Sequence, residues 1–374
     1  MKNFINKIGM KTIKMVGIFL LLFIVVLIGG ALIYNKFFYK KSFKEIENIM
    51  LDASQVYINN HTDLLSDKIN GVVNIPVQDL VNDETMKDIS EYLKDESISC
   101  SGSVNVTNLG KNYRYTPILD CGEDYHTKLF VDYLKDIVKV VTSGNGLYEM
   151  NNELIYRGDT VNNYITFGKN SENTMGSYRI VKISDGYVVI ISDDEKPELN
   201  VWDNRYNIEK KSSVGINDFN VSRIKSFLDN LYNSSKFSNF EKNLIVPHKV
   251  GIGKRNNNDI DNSGKLENAV YIENQYLSLL PLYNFLNASL DDNCFESASY
   301  SCQNYNYLNS YPKNWWTITA NSDDTSKVFM ISSDGSASLS NASNSKAVRY
   351  VLYVAKDAIY VDGNGSKNNP YIIK

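Results

Sequence analysis

Apolar positions run from Met15 to Tyr34 without a charge, "MVGIFLLLFIVVLIGGALIY". At about 1.5 Å per residue, 20 residues of helix span roughly 30 Å, the hydrocarbon thickness of a bilayer. Beyond this run the pattern becomes periodic. Phe43, Ile46, Ile49, Met50, Ala53, Val56 and Tyr57 recur at steps of three and four and predict one helix from Phe37 to about Asn59. Next, "VVNIPVQDLVNDETMKDISEYLKDE" reads as a short strand and a helix carrying Leu80, Met86, Ile89 and Leu93. Alternation then takes over. Val104 and Val106 lead into the turn "NLGKN", and Tyr113, Tyr115 and Ile118 return the chain to Cys121 as a hairpin.

The stretch "KLFVDYLKDIVKVV" predicts a helix and "TSGNG" a flexible stop, together a connector over residues 130–147. Alternating strands follow, with Asp185-Gly186 marking a hairpin between "SYRIVKI" and "YVVIIS". Val221, Ile224, Phe227, Leu228 and Leu231 share one face of an amphipathic helix, and Lys249 to Gln275 is polar and loop-rich. In "NWWTITA", alternation sends Trp315 and Trp316 to opposite faces, so one is expected buried and the other more exposed. The fold class is α+β. Its segments are a tail (1–14), a transmembrane helix (15–34), a stalk with a small α+β domain (35–129), the connector (130–147) and a larger α+β domain (148–374).

Composition changes this picture in three places. A net charge of -4 lacks the basic excess of a nucleic-acid binder. The 26 Tyr suit a β-rich extracellular domain, and equally an AT-rich coding sequence. Lys2, Lys7, Lys11 and Lys14 precede the apolar run while Lys36, Lys40, Lys41 and Lys44 follow it, so positive charge alone does not orient the span. Gly29-Gly30-Ala31 offers a signal-peptide cleavage point as the rival. The length of the run and its helical continuation favour an uncleaved anchor, with the lipid bilayer as a partner. The four cysteines form two local couples, Cys100 with Cys121 and Cys294 with Cys302, and neither has CxxC spacing. An even count in a tethered chain favours two disulfides over four reduced cysteines. This places the amino terminus in the cytoplasm and the bulk of a single-pass protein outside the cell.

A membrane helix, a helical stalk, a small helix and a Cys-closed hairpin resemble the type IV pilin-like ectodomains of low-GC Gram-positive bacteria, over residues 15–128. The prepilin leader with its Gly and Phe-Thr-Leu-Ile-Glu is absent from "KTIKMVGIFLL", which sets fibre assembly apart from pilin-like shape. A second, ordered series covers residues 148–374: "YRG", "NNYITFG", "WDN", "FLDNLYNS", a Cys couple, "NWWTIT", "VFMISSDG", "VRYVLYV" and "GNGSKNNPYII". It is similar to a C-terminal module of unknown function on Firmicutes surface proteins. That module looks like a relative of the C-type-lectin-like and formylglycine-generating-enzyme folds. Two departures from the series are Ser177-Tyr178, where it usually has Leu-Trp, and Tyr350, where Pro commonly follows the Arg.

No catalytic residues are identified. His61, His126 and His248 stand in no ligand spacing, and HExxH, GxSxG and phosphate-binding glycine motifs are absent. The formylglycine-generating resemblance would require copper-binding thiols, for which Cys294 and Cys302 are the candidates. Asp259, Asp261 and Ser263 alternate before Gly264 like half of a calcium loop, but the twelfth position is Val270 and Glu267 falls at the ninth. Such runs also arise in solvated loops, so calcium is one reading and no cofactor the other. Tyr305, Tyr307, Tyr311 and Trp316 are candidate contacts for a glycan or protein ligand. Their expected face combines Lys249 to Gln275, the Cys294–Cys302 loop and the run to Tyr311. The function read from these features is non-catalytic binding or adhesion at the cell surface. The alternatives are a pseudopilin-like structural component and, behind it, an oxidase of the formylglycine-generating type.

Overall fold

The computed structural model describes residue 23 and residues 40–69, 71–95, 97–110, 112–170, 172–294 and 300–374. The expected membrane span, residues 15–34, lies outside these apart from Phe23. Among the described residues no helix is long and apolar enough to cross a membrane. The described chain is mixed α+β, mostly sheet with few helices, and divides after Thr127 into two compact units.

In the smaller unit, helix α1 (Phe43–Asn60) begins at a capping box. Ser42 Oγ accepts from the Glu45 N–H, and the Glu45 carboxylate accepts from the Ser42 N–H at 2.8 Å. Such a box marks a helix start, so the continuous helix expected from Phe37 is corrected: residues 40–42 are not helical. Ile46, Met50, Ala53 and Ile58 form the buried stripe, while Val56, expected on it, is exposed. The stripe shares a core with strand β1 (Val72–Pro76), short helices α2 (Val77–Asn82) and α3 (Ile89–Tyr92), and strands β2 (Ser101–Asn108) and β3 (Tyr113–Asp120). The sheet is antiparallel in the order β1-β2-β3. Its register sets Ser101 opposite Asp120, so the next pair outward is Cys100 and Cys121, joined by a disulfide with Cα atoms 4.1 Å apart. Glu47 is buried on α1, and its carboxyl group accepts from Tyr125 Oη (2.8 Å) and Thr127 Oγ1 (2.5 Å), the partners a buried polar group requires.

The larger unit opens with helix α4 (Phe130–Ile137), whose Phe130, Val131 and Leu134 are buried in its main core. Residues 130–147, expected as a connector, therefore belong to this unit. Strands β4 (Gly146–Met150), β5 (Glu153–Arg157), β6 (Tyr164–Lys169), β7 (Met175–Ser184) and β8 (Tyr187–Ser192) come next. Ser184 faces Tyr187 across Asp185 (φ 50°) and Gly186 (φ 80°), the two-residue turn the sequence predicts. Beyond β9 (Leu199–Val201), helix α5 (Arg223–Asn233) buries Ile224, Leu228 and Leu231. Val221 precedes the helix and is exposed.

Helix α6 (Asn239–Leu244) leads into short strands β10 (Ile245–Val246), β11 (His248–Gly251), β12 (Lys254–Arg255), β13 (Tyr271–Gln275) and β14 (Ser278–Leu279). Helix α7 (Leu282–Asn287) precedes β15 (Trp315–Asn321), β16 (Lys327–Ile331), β17 (Ala337–Asn341), β18 (Ser345–Ala347) and β19 (Tyr350–Val354). Among the described residues the main sheet runs β10-β19-β8-β7-β5-β4, with β14 on β19 and β6 on β7. A second runs β17-β16-β15-β18-β9, with β12 on β15.

Strand β15 has neighbours on both edges and all seven of its residues are buried. Trp315 and Trp316 are both fully buried, which corrects the expectation of one exposed ring. With both faces of a central strand covered, alternation sends the rings to opposite faces and neither to water. The tail closes the unit: β20 (Tyr360–Asp362) pairs with β21 (Ile372–Ile373). Between them Gly365 (φ 75°) has room for no side chain, since a Cβ would sit 2.4 Å from the Asn162 carbonyl oxygen. Tyr371 is thereby buried edge-on against Phe130, ring centroids 5.5 Å apart.

Candidate functional site

A cleft of about 780 Å³ opens on the larger unit. One wall is the β6–β7 hairpin, with Tyr164, Thr166, Asn170, Glu172 and Ser177. The segment after β8 supplies Asp193, Asp194, Glu195 and Lys196. Ser310, Tyr311 and Pro312 line it too, as do Lys367 and Pro370 of the tail. The hairpin tip is set by Asn170, whose Oδ1 accepts from the N–H groups of Glu172 (2.9 Å) and Thr174 (3.0 Å). The β8 exit is tied to the hairpin in two places. Asp193 N–H donates to the Ser177 carbonyl at 2.8 Å, and Ser177 N–H to Asp194 Oδ1 at 3.3 Å.

Four carboxylates and two ammonium groups line this space, and they sort into a fixed floor and a loose rim. Asp193 accepts from Arg349 Nη2 at 2.6 Å, and Asp194 lies 3.6 Å from Lys236 Nζ. Arg349 is buried and spent on protein: Nε donates to the Ser192 carbonyl (2.9 Å), and its guanidinium lies 4.2 Å from the Tyr311 ring centroid and 5.0 Å from that of Trp315. Tyr311 Oη in turn donates to the Asp194 carbonyl at 2.9 Å. Burial raises the Asp194 carboxyl above its ordinary range, with Lys236 pulling the other way. On the rim, Glu172 pairs with Lys196 and Glu195 lies 3.7 Å from Lys367 Nζ, all with well-exposed side chains. The hydrogen bond from Lys196 holds the Glu172 carboxyl below its usual range. Exposed pairs of this kind are weak and exchange readily with a charged or polar visitor. The site can hydrogen-bond and charge-pair with a polar ligand, and no His or Cys lies among its described lining residues.

Of the predicted aromatic contacts only Tyr311 lines the cleft, and it does so as a buried ring under Arg349. Tyr307 and Trp316 are core residues, a correction to their reading as ligand contacts. Tyr307 Oη donates to the Ile180 carbonyl (3.3 Å) with Arg179 over its ring, and Trp316 Nε1 donates to the Asn200 carbonyl (3.0 Å). Buried cations and buried indoles need ring faces and carbonyls for partners, and these residues supply them. Tyr305 is 58% exposed and does not line the cleft. Lys249 to Gln275 and the described residues of the Cys294–Cys302 loop do not line it either. The signal that went unread is the charged run "SDDEKPE" directly after a strand, together with the polar hairpin tip "GKNSENTMG".

The other candidates keep their places in sequence and acquire protein partners. Asp259 accepts from Asn256 N–H at 2.7 Å. Asp261 accepts from Ser263 N–H (3.0 Å), Ser263 Oγ (2.5 Å) and Leu266 N–H (3.3 Å). Glu267 is buried against Arg255, 3.3 Å from Nη1. Among the described residues no three His, Cys, Asp or Glu side chains are grouped to hold a metal ion. Cys294 and Cys302 are joined by a disulfide, Cα atoms 4.6 Å apart, as the local couple predicts.

Residues 185–356 match the model of a domain of unknown function (DUF6273), and this part of the chain is similar to that family. No curated protein and no solved structure matches the chain. The matched segment contains the β8 exit and Arg349, while the hairpin wall and the tail wall fall outside it.

Proposed function

We propose that the chain is a single-pass, membrane-anchored cell-surface protein whose larger unit binds a polar ligand, glycan or protein, without chemistry of its own. The observation that carries this reading is the cleft: a floor of two carboxylates held from behind by Arg349 and Lys236, under a rim of exchangeable ion pairs. A site whose fixed groups are already oriented loses less entropy on binding. The charge-free run at residues 15–34 supports the anchor, and two disulfides support an oxidising, extracellular setting. A C-type-lectin-like shape for the larger unit is part of the proposal and rests on the ordered motif series. The experiment is a glycan and peptide array probed with the full chain. Retention of a polar ligand that excess salt releases is the expected result, and the absence of any retained ligand speaks against the reading.

A pseudopilin-like structural role is the second reading, favoured by the smaller unit, where a stalk helix packs with a Cys-closed hairpin. Recovery of a prepilin peptidase or pilus ATPase in a cross-linked pull-down would favour it over ligand binding.

A further inference from the structure

A second, smaller cavity of about 40 Å³ lies among β7, β11, β14, α7 and β19, and none of its lining residues lines the cleft. Lys182, His248, Ser278, Tyr283, Asn284 and Tyr353 contribute its polar wall. Most of that wall is fixed by internal contacts. Lys182 Nζ donates to both oxygens of Glu153 (2.7 and 2.9 Å) and to Tyr283 Oη (3.3 Å), which occupies its three hydrogens. The His248 ring stacks on Tyr353 with centroids 3.9 Å apart, and its Nε2 lies 3.3 Å from Ser278 Oγ.

One group is left over. Asn284 is 2% exposed, and its Nδ2 has no hydrogen-bond partner in the protein. A buried amide donor without an acceptor is rare, and the usual resolution is a bound molecule that supplies one. Tyr283 adds a second donor, because its oxygen accepts from Lys182 and leaves its own hydrogen to give. The volume suits about three waters, or one group of about three heavy atoms.

We infer that this cavity is a binding site for a small oxygen acceptor, filled by ordered water or by a carboxylate group of formate size, with Asn284 as the recognising donor. The chemistry asked of the guest is the same in both cases: an oxygen lone pair presented to Nδ2.

Crystals of the full chain, grown with and without sodium formate, test this. The expected result is density within hydrogen-bond distance of Asn284 Nδ2 in both. Separate peaks in both crystals assign the site to water; a bent three-atom density replacing them in formate assigns it to a carboxylate. An empty cavity in both crystals, or a protein oxygen bonded to Nδ2, overturns the inference. Asn284→Ala removes the donor without filling the cavity, so the density beside position 284 should be lost from its crystals. Density that persists unchanged there would show that Asn284 does not recognise the guest. Should that variant fail to fold, the wild-type crystals alone decide the question.

Discussion

Tyr178 and Tyr350 share a hydrogen bond, hydroxyl to hydroxyl at 2.6 Å, with both side chains buried and their rings edge to face. They are the two positions at which the resemblance read from the sequence expects other residues. Two positions on different strands, β7 and β19, thus meet in a single contact. Burial, the first cause for each, holds both hydroxyls well above the ordinary tyrosine range, so each is a neutral donor or acceptor at any working pH. Changing either one to Phe strands the other hydroxyl in the core at about 1–3 kcal/mol, whereas changing both removes the need. The prediction is a coupled cycle: Tyr178→Phe and Tyr350→Phe each destabilise, and the double variant is more stable than the sum of the single losses implies. Urea unfolding of the four proteins measures this, and strict additivity would deny the coupling.

Arg349 is predicted to be the strut of the cleft floor. Arg349→Met keeps the bulk but leaves Asp193 without its cation, a loss of about 3–5 kcal/mol for breaking a largely buried pair. Arg349→Lys should fall between, since an ammonium cannot reach Asp193 and the Ser192 carbonyl with one planar fork. Equal stability of all three proteins by calorimetry would remove Arg349 from this role.

Burial pulls the His248 imidazole down to about 3, against roughly 6.5 in an unfolded chain. Between those values the unfolded chain binds the extra proton. The stability tied to neutral His248 is therefore complete above about pH 6.5 and is lost as pH falls toward 3. His248→Gln should flatten the acid limb by up to about 1.4 kcal/mol per pH unit within that window. Parallel stability curves for the two proteins would show that His248 titrates normally.

Much of the fold was legible because its signals are local. Asp185-Gly186 specifies its own hairpin, and Ile46, Met50 and Ala53 mark a helix face by spacing alone. The cysteine couples were legible for the same reason: Cys100 and Cys121 end two strands of one hairpin. The cleft was not, because residues near 170, 194, 311 and 367 converge only through tertiary packing. The tyrosine run misled in the opposite direction. Its polar neighbours suggested a surface loop, but the buried guanidiniums of Arg179 and Arg349 draw Tyr307 and Tyr311 inward. The start of helix α1 was missed because apolar spacing continues through Ser42 while the capping box interrupts it.

Both disulfides are expected in the native protein. Non-reducing peptide mapping should find Cys100 linked to Cys121 and Cys294 to Cys302, with no free thiol. Replacing the first pair with serines should cost roughly 2–4 kcal/mol, and the second less because it closes a shorter loop. A linkage between Cys121 and Cys294 would contradict the division into two units.

The most direct test of the binding cleft is the affinity of the array-selected ligand for the full chain and for two variants, by titration calorimetry. Lys196→Glu with Lys367→Glu reverses the rim while touching only exposed pairs, so folding should be unchanged and affinity should change at least about tenfold, or 1.4 kcal/mol, falling for an anionic ligand and rising for a cationic one. Tyr305→Ala, exposed and away from the cleft, should bind as the wild type does. If the rim reversal binds normally while Tyr305→Ala loses the ligand, the binding face lies on the Tyr305 loop and the cleft account is wrong.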